Sequence, residues 1–370
     1  MSNKIKNIVT TFVFVGIIAL FVVLCAVRAA NPVEYSDVEK RPLAQFPENI
    51  TWESIVDKTT INAFDKYTVE QFPMREFFRT LKAKFALNVL NLKENNGYAV
   101  EDGSIAEIKP DYNQEILDYQ IGRLEYAYDK YLAGNGGKHY LALVPDKNYY
   151  LGVDYGYPMP DYAGLVEQMK QKLDGMEYVD LFDSLELEDY YKTDWHWDQS
   201  KLDDVLATLG EAMGFGDRLS GEYTENVLED FRGGYYDQSA LYPSAEQMIY
   251  LTNKVLEDCT VYDYENGKTY GLYNHELYTS KTPYDFFLSG TRALLRIDNP
   301  NATTDKKLVV FRDSYGASLV PLMAEGYASI YVVDIRYVHP DLITRMIGSV
   351  EGMDVLYVLS TTVLSTKSFK

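Results

Sequence analysis

The chain has 370 residues, of which 46% are hydrophobic and 24% are charged, a mixture typical of a folded protein and not of a disordered or fibrous one. Its 35 Lys and Arg residues face 55 Asp and Glu residues, and the resulting net charge of -20 excludes the basic surface of a nucleic-acid-binding protein. The 2 cysteines cannot build a disulfide framework, and they do not form the paired pattern of a zinc site.

The N-terminal segment contains an uncharged apolar stretch at residues 8–27, which as a helix spans the roughly 30 Å hydrocarbon core of a bilayer. Lys4 and Lys6 precede this stretch, and that charge placement predicts a cytoplasmic N-terminus at residues 1–7. A cleaved signal peptide is the alternative, because residues 26–30 include small side chains. We expect a single-pass anchor with the remaining chain in the periplasm or at the cell surface.

Residues 28–62 are irregular and contain several prolines, so we interpret them as a stalk and expect one domain over residues 63–370. Within that domain, apolar residues recur at helical spacing over residues 65–92, with a break at Pro73, and again over residues 114–132. Strands are then predicted at residues 139–144, 178–181, 308–311, 330–333 and 355–359, and helices at residues 165–173, 199–213, 317–324 and 341–347. This alternation favours a parallel sheet between two helical layers, a three-layer α/β/α fold.

The alternation of strands and helices breaks between residues 214 and 289, a segment rich in Gly, Tyr and Asn. We interpret this segment as an irregular insertion near the functional site. A set of additional edge strands is the alternative, and the sequence does not decide between them.

A first candidate motif is Thr-Asp-Trp-His-Trp-Asp at residues 193–198. In an extended backbone, alternate side chains face the same way, so Asp194 and His196 are expected on one face. The carboxylate then holds the imidazole in one tautomer and stabilises its protonated form, as in a catalytic triad. A surface histidine beside an acid is the alternative, although the flanking tryptophans argue against exposure. A metal site is not predicted, because the motif has a single histidine.

A second candidate motif is Arg-Asp-Ser-Tyr-Gly-Ala-Ser at residues 312–318, directly after a predicted strand. A serine in a tight turn between a strand and a helix presents its hydroxyl at the carboxyl edge of a sheet, where amides of the following helix can hold an oxyanion. We expect Gly316 to let substrate approach the backbone closely. An Asp-Ser pair that only caps the helix is the alternative. Together the motifs predict a triad of Ser314, His196 and Asp194.

The order Asp-x-His-Trp followed by Asp-Ser-Tyr-Gly resembles the DHHW protein family and the alginate O-acetyltransferase proteins of the AlgJ and AlgX type, which have SGNH-hydrolase-like folds with circularly permuted catalytic motifs. The family resemblance extends to Arg-Pro-Leu at residues 41–43, Phe-Pro-Met-Arg at 72–75, Val-Pro-Asp-Lys at 144–147 and Asp-Ile-Arg-Tyr at 334–337. One departure is Trp195, which stands where the family motif has a histidine.

The resemblance implies that Asp194 and His196 are the acid and the base, and that Ser314 carries the acyl group. It adds candidates for contact with substrate or oxyanion, namely Tyr315, Gly316, Lys147, Trp197, Arg75 and Arg336. For the lysine, a solvated charge is the alternative role. For the two arginines, the alternative is a structural pairing with carboxylates.

The activity implied is an extracytoplasmic O-acetyltransferase that moves an acetyl group onto hydroxyls of an exported or cell-wall polysaccharide, with no cofactor. A membrane-bound O-acyltransferase is implied as the partner that supplies the acetyl group. A carbohydrate acetyl esterase with the same triad is a second possibility. A noncatalytic carbohydrate-binding scaffold, with many of the 33 tyrosines as its sugar platform, is a third.

Overall fold

The computed structural model describes residues 3–36, 38–39, 41–241, 244–334, 336–367 and 369. These residues divide into two units, one within Met1–Asn95 and Asp237–Tyr242 and the other within Asn96–Tyr236 and Pro243–Lys370. Both proposed catalytic motifs belong to the second unit. The predicted stalk over residues 28–62 and the predicted domain over residues 63–370 stay predictions.

The chain up to Asn95 is mainly helical. Its elements are α1 (Asn3–Ala30), β1 (Tyr35–Ser36), β2 (Arg41–Pro42), α2 (Trp52–Val56), α3 (Thr59–Glu70), α4 (Arg75–Asn88) and β3 (Glu94–Asn95). Of the helices in the described part of the chain, α1 is the one long and apolar enough to cross a membrane. The predicted break at Pro73 falls between α3 and α4, because proline removes a backbone donor from a helix interior.

The chain after Asn95 alternates strands and helices. The strands are β4 (Tyr98–Glu101), β5 (Ser104–Glu107), β6 (His139–Val144), β7 (Glu177–Asp180), β8 (Thr224–Phe231), β9 (Glu246–Thr252), β10 (Thr260–Asp263), β11 (Thr269–Tyr270), β12 (Leu294–Asp298), β13 (Lys307–Arg312), β14 (Ser329–Val333) and β15 (Asp354–Ser360). The helices are α5 (Gln114–Tyr131), α6 (Lys147–Tyr155), α7 (Tyr162–Lys172), α8 (Asp203–Met213), α9 (Gly234–Gln238), α10 (Lys254–Asp258), α11 (His275–Tyr278), α12 (Gly316–Met323), α13 (Pro340–Ile347) and α14 (Thr361–Leu364). Short 3-10 turns include Leu187–Asp189, Gln199–Lys201 and Pro283–Phe286.

The main sheet has eight strands within the described residues, in the order β11-β10-β12-β14-β13-β15-β6-β7. The run from β14 to β7 is parallel, whereas β12, β10 and β11 continue the sheet in antiparallel pairing. The parallel part confirms the prediction drawn from the alternation of elements.

Alternate residues of the central strand β13 pack into two separate cores. Leu308 and Val310 belong to a cluster with residues of α8 and α12. Val309 and Phe311 belong to a second cluster with residues of α5, α7 and α13. Because side chains alternate across a strand, these two clusters lie on opposite faces of the sheet, and the three-layer α/β/α prediction is confirmed.

The predicted insertion at residues 214–289 contains four strands among its described residues, and its status as an insertion stays a prediction. Strands β8 and β9 form a separate antiparallel hairpin, and β10 and β11 form an antiparallel edge of the main sheet. The edge-strand alternative therefore describes part of this segment. Strand β8 was not predicted because most of its residues are exposed and polar, so it lacks the run of buried apolar residues that indicates a strand.

Candidate active site

Ser314 lies at the carboxyl edge of the sheet, two residues after the end of β13 and two before the start of α12. The preceding Asp313 fixes this turn with both carboxylate oxygens. Oδ1 accepts a hydrogen bond from the Tyr315 amide at 3.0 Å, and Oδ2 accepts from the Ser360 amide at 3.0 Å and its hydroxyl at 2.5 Å. The turn that carries Ser314 is thereby tied to the end of the neighbouring parallel strand β15, a contact that the sequence did not predict.

Asp194 and His196 form a buried hydrogen-bonded pair. Asp194 Oδ1 lies 2.6 Å from His196 Nδ1 and also accepts from the His196 amide at 3.0 Å. Asp194 Oδ2 accepts from the Gly234 amide at 2.7 Å. Burial opposes ionisation of Asp194, yet the interaction with His196 and these amide bonds hold its pKa below its ordinary value. The carboxylate is therefore ionised at neutral pH and orients the imidazole.

The backbone around the pair is a closed loop and not the extended strand that we expected. Tyr190 and Trp197 pair in an antiparallel bridge, and the Tyr191 amide donates to the His196 carbonyl at 3.0 Å. Within this loop the bond from the His196 amide to the Asp194 carboxylate is an Asx-type turn. The turn brings the two side chains together by a different local geometry from the predicted one.

Aromatic side chains connect the histidine loop to the serine turn. The His196 ring stacks on Tyr284 with centroids 3.7 Å apart and an interplanar angle of 1°. The Tyr315 ring lies 5.0 Å from the His196 ring, and its hydroxyl donates to the Trp195 carbonyl at 2.6 Å. Trp197 Nε1 donates in return to the Tyr315 carbonyl at 3.0 Å. Tyr315, the residue after Ser314, therefore bonds to the loop that carries His196.

His196 Nε2 accepts a hydrogen bond from the indole N–H of Trp195 at 3.0 Å. Among the residues that the structure describes, His196 and Ser314 make no hydrogen bond with each other. A neutral imidazole has one ring nitrogen with a free lone pair, and here that nitrogen is occupied. The structure contains the hydrogen bond between Asp194 and His196, and the catalytic triad with Ser314 stays a prediction.

Lys147 lies at the start of α6 with its amine buried. Nζ donates to the backbone carbonyls of Ile105, Tyr191, Lys192 and Asp194, at distances of 2.5, 2.9, 3.4 and 3.3 Å. Burial lowers the pKa of this amine to about 7. Lys147 therefore holds the histidine loop by its backbone, a placement that differs from the expected contact with substrate or oxyanion.

Trp197 and Gly316 also have packing roles in the structure. Trp197 is fully buried in one of the two cores. A Cβ atom at Gly316 would lie 2.6 Å from the Cβ of Arg312, so the glycine allows α12 to start close against β13. The glycine was predicted to admit substrate, whereas the close neighbour in the structure is a side chain of the same turn.

The two candidate arginines both pair with carboxylates, which is the alternative role that the sequence left open. Arg336 binds Asp334 through two bonds of 2.6 and 2.9 Å, the bidentate geometry that suits a guanidinium. Arg75 lies in the other unit, where it pairs with Glu39 and with Glu76. In the described part of the chain, no group of three or more His, Cys, Asp or Glu side chains is arranged to hold a metal ion.

Glu246 of β9 is a site residue that the sequence did not reveal. Its carboxylate accepts from the Thr193 amide at 2.7 Å, the Thr193 hydroxyl at 2.5 Å and the Lys192 amide at 2.8 Å. These bonds fasten the residues directly before Asp194. The separation of more than fifty residues along the chain leaves no local pattern from which the contact could be predicted.

The resemblance inferred from the two motifs is confirmed at the level of the fold. A DHHW family protein from Eubacterium siraeum is similar with a TM-score of 0.59 and 21% identity, over 74% of this chain and 93% of that protein. Bacillus cereus PatB1, in a structure with a sulfonyl adduct, is similar with a TM-score of 0.56 and 20% identity, over 74% of this chain and 97% of that protein.

A weaker likeness is to the O-acetyltransferase domain of Pseudomonas putida AlgJ, with a TM-score of 0.45 and 14% identity over 74% of this chain and 93% of that domain. No protein-family model and no curated protein matches the sequence. The likeness to the DHHW family protein and to PatB1 shows a common fold, and the activity must be argued from the site itself.

Proposed function

We propose that this protein is an extracytoplasmic serine O-acetyltransferase that transfers an acetyl group to hydroxyls of an exported or cell-wall polysaccharide. The observation that carries the proposal is the buried Asp194–His196 pair at 2.6 Å, joined through Tyr315 to the turn that presents Ser314. An ionised acid, an oriented imidazole and a serine at a sheet edge are the parts that acyl transfer needs.

In the first half-reaction, Ser314 Oγ attacks the carbonyl carbon of the donor ester while His196 Nε2 takes the hydroxyl proton. Asp194 stabilises the imidazolium that results. Amides at the start of α12 are the candidates to hold the oxyanion of the tetrahedral intermediate. The donor oxygen then leaves with the proton from Nε2, and the acetyl group remains on Ser314.

In the second half-reaction, His196 takes a proton from a sugar hydroxyl, which attacks the acetyl-serine and leaves as an acetyl ester. Ser314 recovers its proton from His196. Neither half-reaction needs a cofactor. The chemistry requires that water be excluded from the acyl-serine, since water in place of the sugar would make the enzyme an esterase.

The proposed location follows from α1, which is apolar and contains no buried residue among those described. With Lys4 and Lys6 on the cytoplasmic side, α1 anchors the protein and the second unit is extracytoplasmic. An activated acetyl donor such as acetyl-CoA is confined to the cytoplasm. The proposal therefore includes a membrane-bound O-acyltransferase that passes the acetyl group outward.

A noncatalytic carbohydrate-binding scaffold is the second candidate, and one observation favours it. The Trp195 indole occupies His196 Nε2, the nitrogen on which the serine mechanism depends. If this bond is permanent, the pair only stabilises the loop.

The deciding experiment incubates the full-length protein with an acetyl ester donor and candidate oligosaccharides, followed by mass spectrometry of the sugars. The proposal predicts acetylated oligosaccharide with the wild type and none with Ser314→Ala. Release of free acetate alone would indicate an esterase. Binding of oligosaccharide without either product would indicate the scaffold.

A further inference from the structure

Helix α4 (Arg75–Asn88) presents an apolar row to the outside of the first unit. Phe77, Leu81 and Phe85 follow one another at intervals of four residues, and each is more than half exposed. Residues at this spacing lie on one face of a helix. Exposed apolar side chains are ordinary when scattered, whereas a contiguous row marks an interaction surface.

The apolar surface continues beyond both ends of the helix. Phe72 and Met74 precede α4 and are exposed, and Val89 and Leu90 follow it and are more than half exposed. The opposite face of α4 holds its buried residues, which are the alanines at positions 83 and 86. The helix is therefore amphipathic, with a small-residue face toward the unit and a large apolar face away from it.

The same surface contacts the apolar helix α1. The Phe21 ring stacks on the Phe72 ring with centroids 5.6 Å apart and an interplanar angle of 19°, and it lies 6.1 Å from the Phe78 ring. Phe21 precedes Arg28, the basic residue in the last turn of α1, by seven residues, about 10 Å along the helix axis. If α1 crosses a bilayer with Arg28 at the outer boundary, Phe72 and Phe78 lie about 10 Å inside that boundary, beside Phe21.

Helix α4 is basic, although the chain as a whole is acidic. The protein has a net charge of -20, yet α4 carries Arg75, Arg79, Lys82 and Lys84 against a single acid, Glu76. The two lysines are exposed, and on a helix of 3.6 residues per turn they flank the apolar row on its two sides. Lysines beside an apolar face extend their amines to anionic lipid headgroups while the apolar side chains enter the acyl region.

We propose that α4 is a lipid-docking surface, with Phe72, Phe77, Phe78, Leu81 and Phe85 inserted in the outer boundary of the bilayer and Lys82 and Lys84 at anionic headgroups. The inference rests on the anchoring role proposed for α1. A bilayer explains why the aromatic residues that contact Phe21 are apolar and why lysines lie on both sides of the apolar row. Typical interfacial helices insert their apolar face about 5–10 Å, which agrees with the depth inferred from the Phe21 contacts. The first unit is then held to the membrane at two places and does not swing on α1 alone.

The test measures the environment of nitroxide spin labels on the full-length protein in vesicles that contain phosphatidylglycerol. Labels on Leu81→Cys and Phe85→Cys, in a Cys25→Ser background, report on α4. A label on the native Cys25 reports on α1, and Glu257→Cys on the exposed surface of α10 is the aqueous control. The remaining cysteine, Cys259, is buried and does not compete for the label.

Collision rates with oxygen, which concentrates in lipid, and with a water-soluble nickel chelate give the result. The proposal predicts that labels at positions 81 and 85 collide often with oxygen and rarely with nickel. The label on Cys25 is expected to behave in the same way. The label at position 257 is expected to collide often with nickel and rarely with oxygen. Nickel access at 81 and 85 with Cys25 still in lipid would overturn the docking surface and leave the anchor intact. Shielding from both reagents would show that protein, such as a second copy, covers the face. Nickel access at Cys25 would overturn both proposals.

A charge reversal gives a second, independent readout. Replacement of Lys82 and Lys84 by Glu is expected to raise nickel access at position 85 severalfold in anionic vesicles. In vesicles of neutral lipid the same replacement is expected to have a much smaller effect, because the headgroup attraction is missing. An equal effect in both vesicle types would contradict the proposed contact with anionic headgroups. Circular dichroism checks that the fold is retained after the double replacement.

Discussion

The indole N–H of Trp195 donates a hydrogen bond to His196 Nε2 at 3.0 Å, so the nitrogen that would act as the base is already occupied. Residues 234 and 235 pack against the indole ring and fix its position. A side chain at Gly234 would collide with the Trp195 ring, and the Tyr235 ring packs edge-on against it at 5.5 Å. We interpret this arrangement as a resting state in which the Asp194–His196 pair is assembled and its outward lone pair is covered.

The replacement Trp195→Phe tests this interpretation, because it keeps an aromatic ring and removes the donor. We expect Ser314 to react faster with a sulfonyl electrophile, the kind of group present as an adduct in PatB1. Loss of one hydrogen bond worth about 1 kcal/mol corresponds to roughly a fivefold higher rate. Trp195→His, which restores the family motif, is the matched comparison. A slower reaction of a well-folded Trp195→Phe protein would mean that the indole assists the histidine.

A second prediction concerns the pH dependence of stability at Asp194. The pKa of this carboxyl is lowered in the folded protein from its ordinary value of 3.8. Its stabilising contribution is therefore complete above about pH 3.8 and is lost as the pH falls through the lower folded pKa. Asp194→Asn does not titrate, so the difference in unfolding free energy from wild type should be about 1–3 kcal/mol at pH 7 and should shrink below pH 3.8. Urea unfolding of both proteins across this range makes the comparison, and a difference independent of pH would be inconsistent with it.

The third prediction is that Glu246→Gln weakens the fold and the activity together. The carboxylate accepts bonds through both oxygens, whereas glutamine would place an NH₂ group against an amide or hydroxyl donor. The expected cost is about 1–3 kcal/mol of unfolding free energy, with a lower kcat because the loop before Asp194 loosens. Glu225→Gln on the exposed side of β8 is the matched control and should change neither quantity. If both replacements had equal effects on stability and kcat, the bonds of Glu246 to residues 192 and 193 would not be what stabilises the loop.

The sequence predicted those parts of the site whose geometry is local. Asp194 and His196 are two residues apart, so their proximity was predictable although the closed loop that produces it was not. Ser314 follows β13 after one residue, which places it at the edge of the sheet. The parallel sheet was predictable for a similar reason, because buried strands alternate regularly with amphipathic helices along the second unit.

The remaining features depend on contacts between distant parts of the chain. Glu246 and Gly234 contact the Asp194 loop although they lie 40 or more residues away along the chain, and no local sequence pattern predicts these contacts. Lys147 was placed at the end of a strand as expected, but the sequence cannot tell whether such an amine faces solvent, substrate or buried carbonyls. The four carbonyls that it binds come from two separate segments, which only the folded chain brings together.

The central claim is that Ser314 carries an acetyl group during turnover, and the intact mass of the protein after addition of a chromogenic acetyl ester tests it most directly. Provided that acylation outpaces deacylation, wild-type protein is predicted to gain one acetyl group on the peptide that contains Ser314. Ser314→Ala is predicted to gain none and to lose at least about a thousandfold in ester turnover, with nearly unchanged thermal stability, and His196→Ala is predicted to lose a similar factor. A Ser314→Ala protein that keeps wild-type turnover would contradict the account and leave the carbohydrate-binding scaffold as the better explanation.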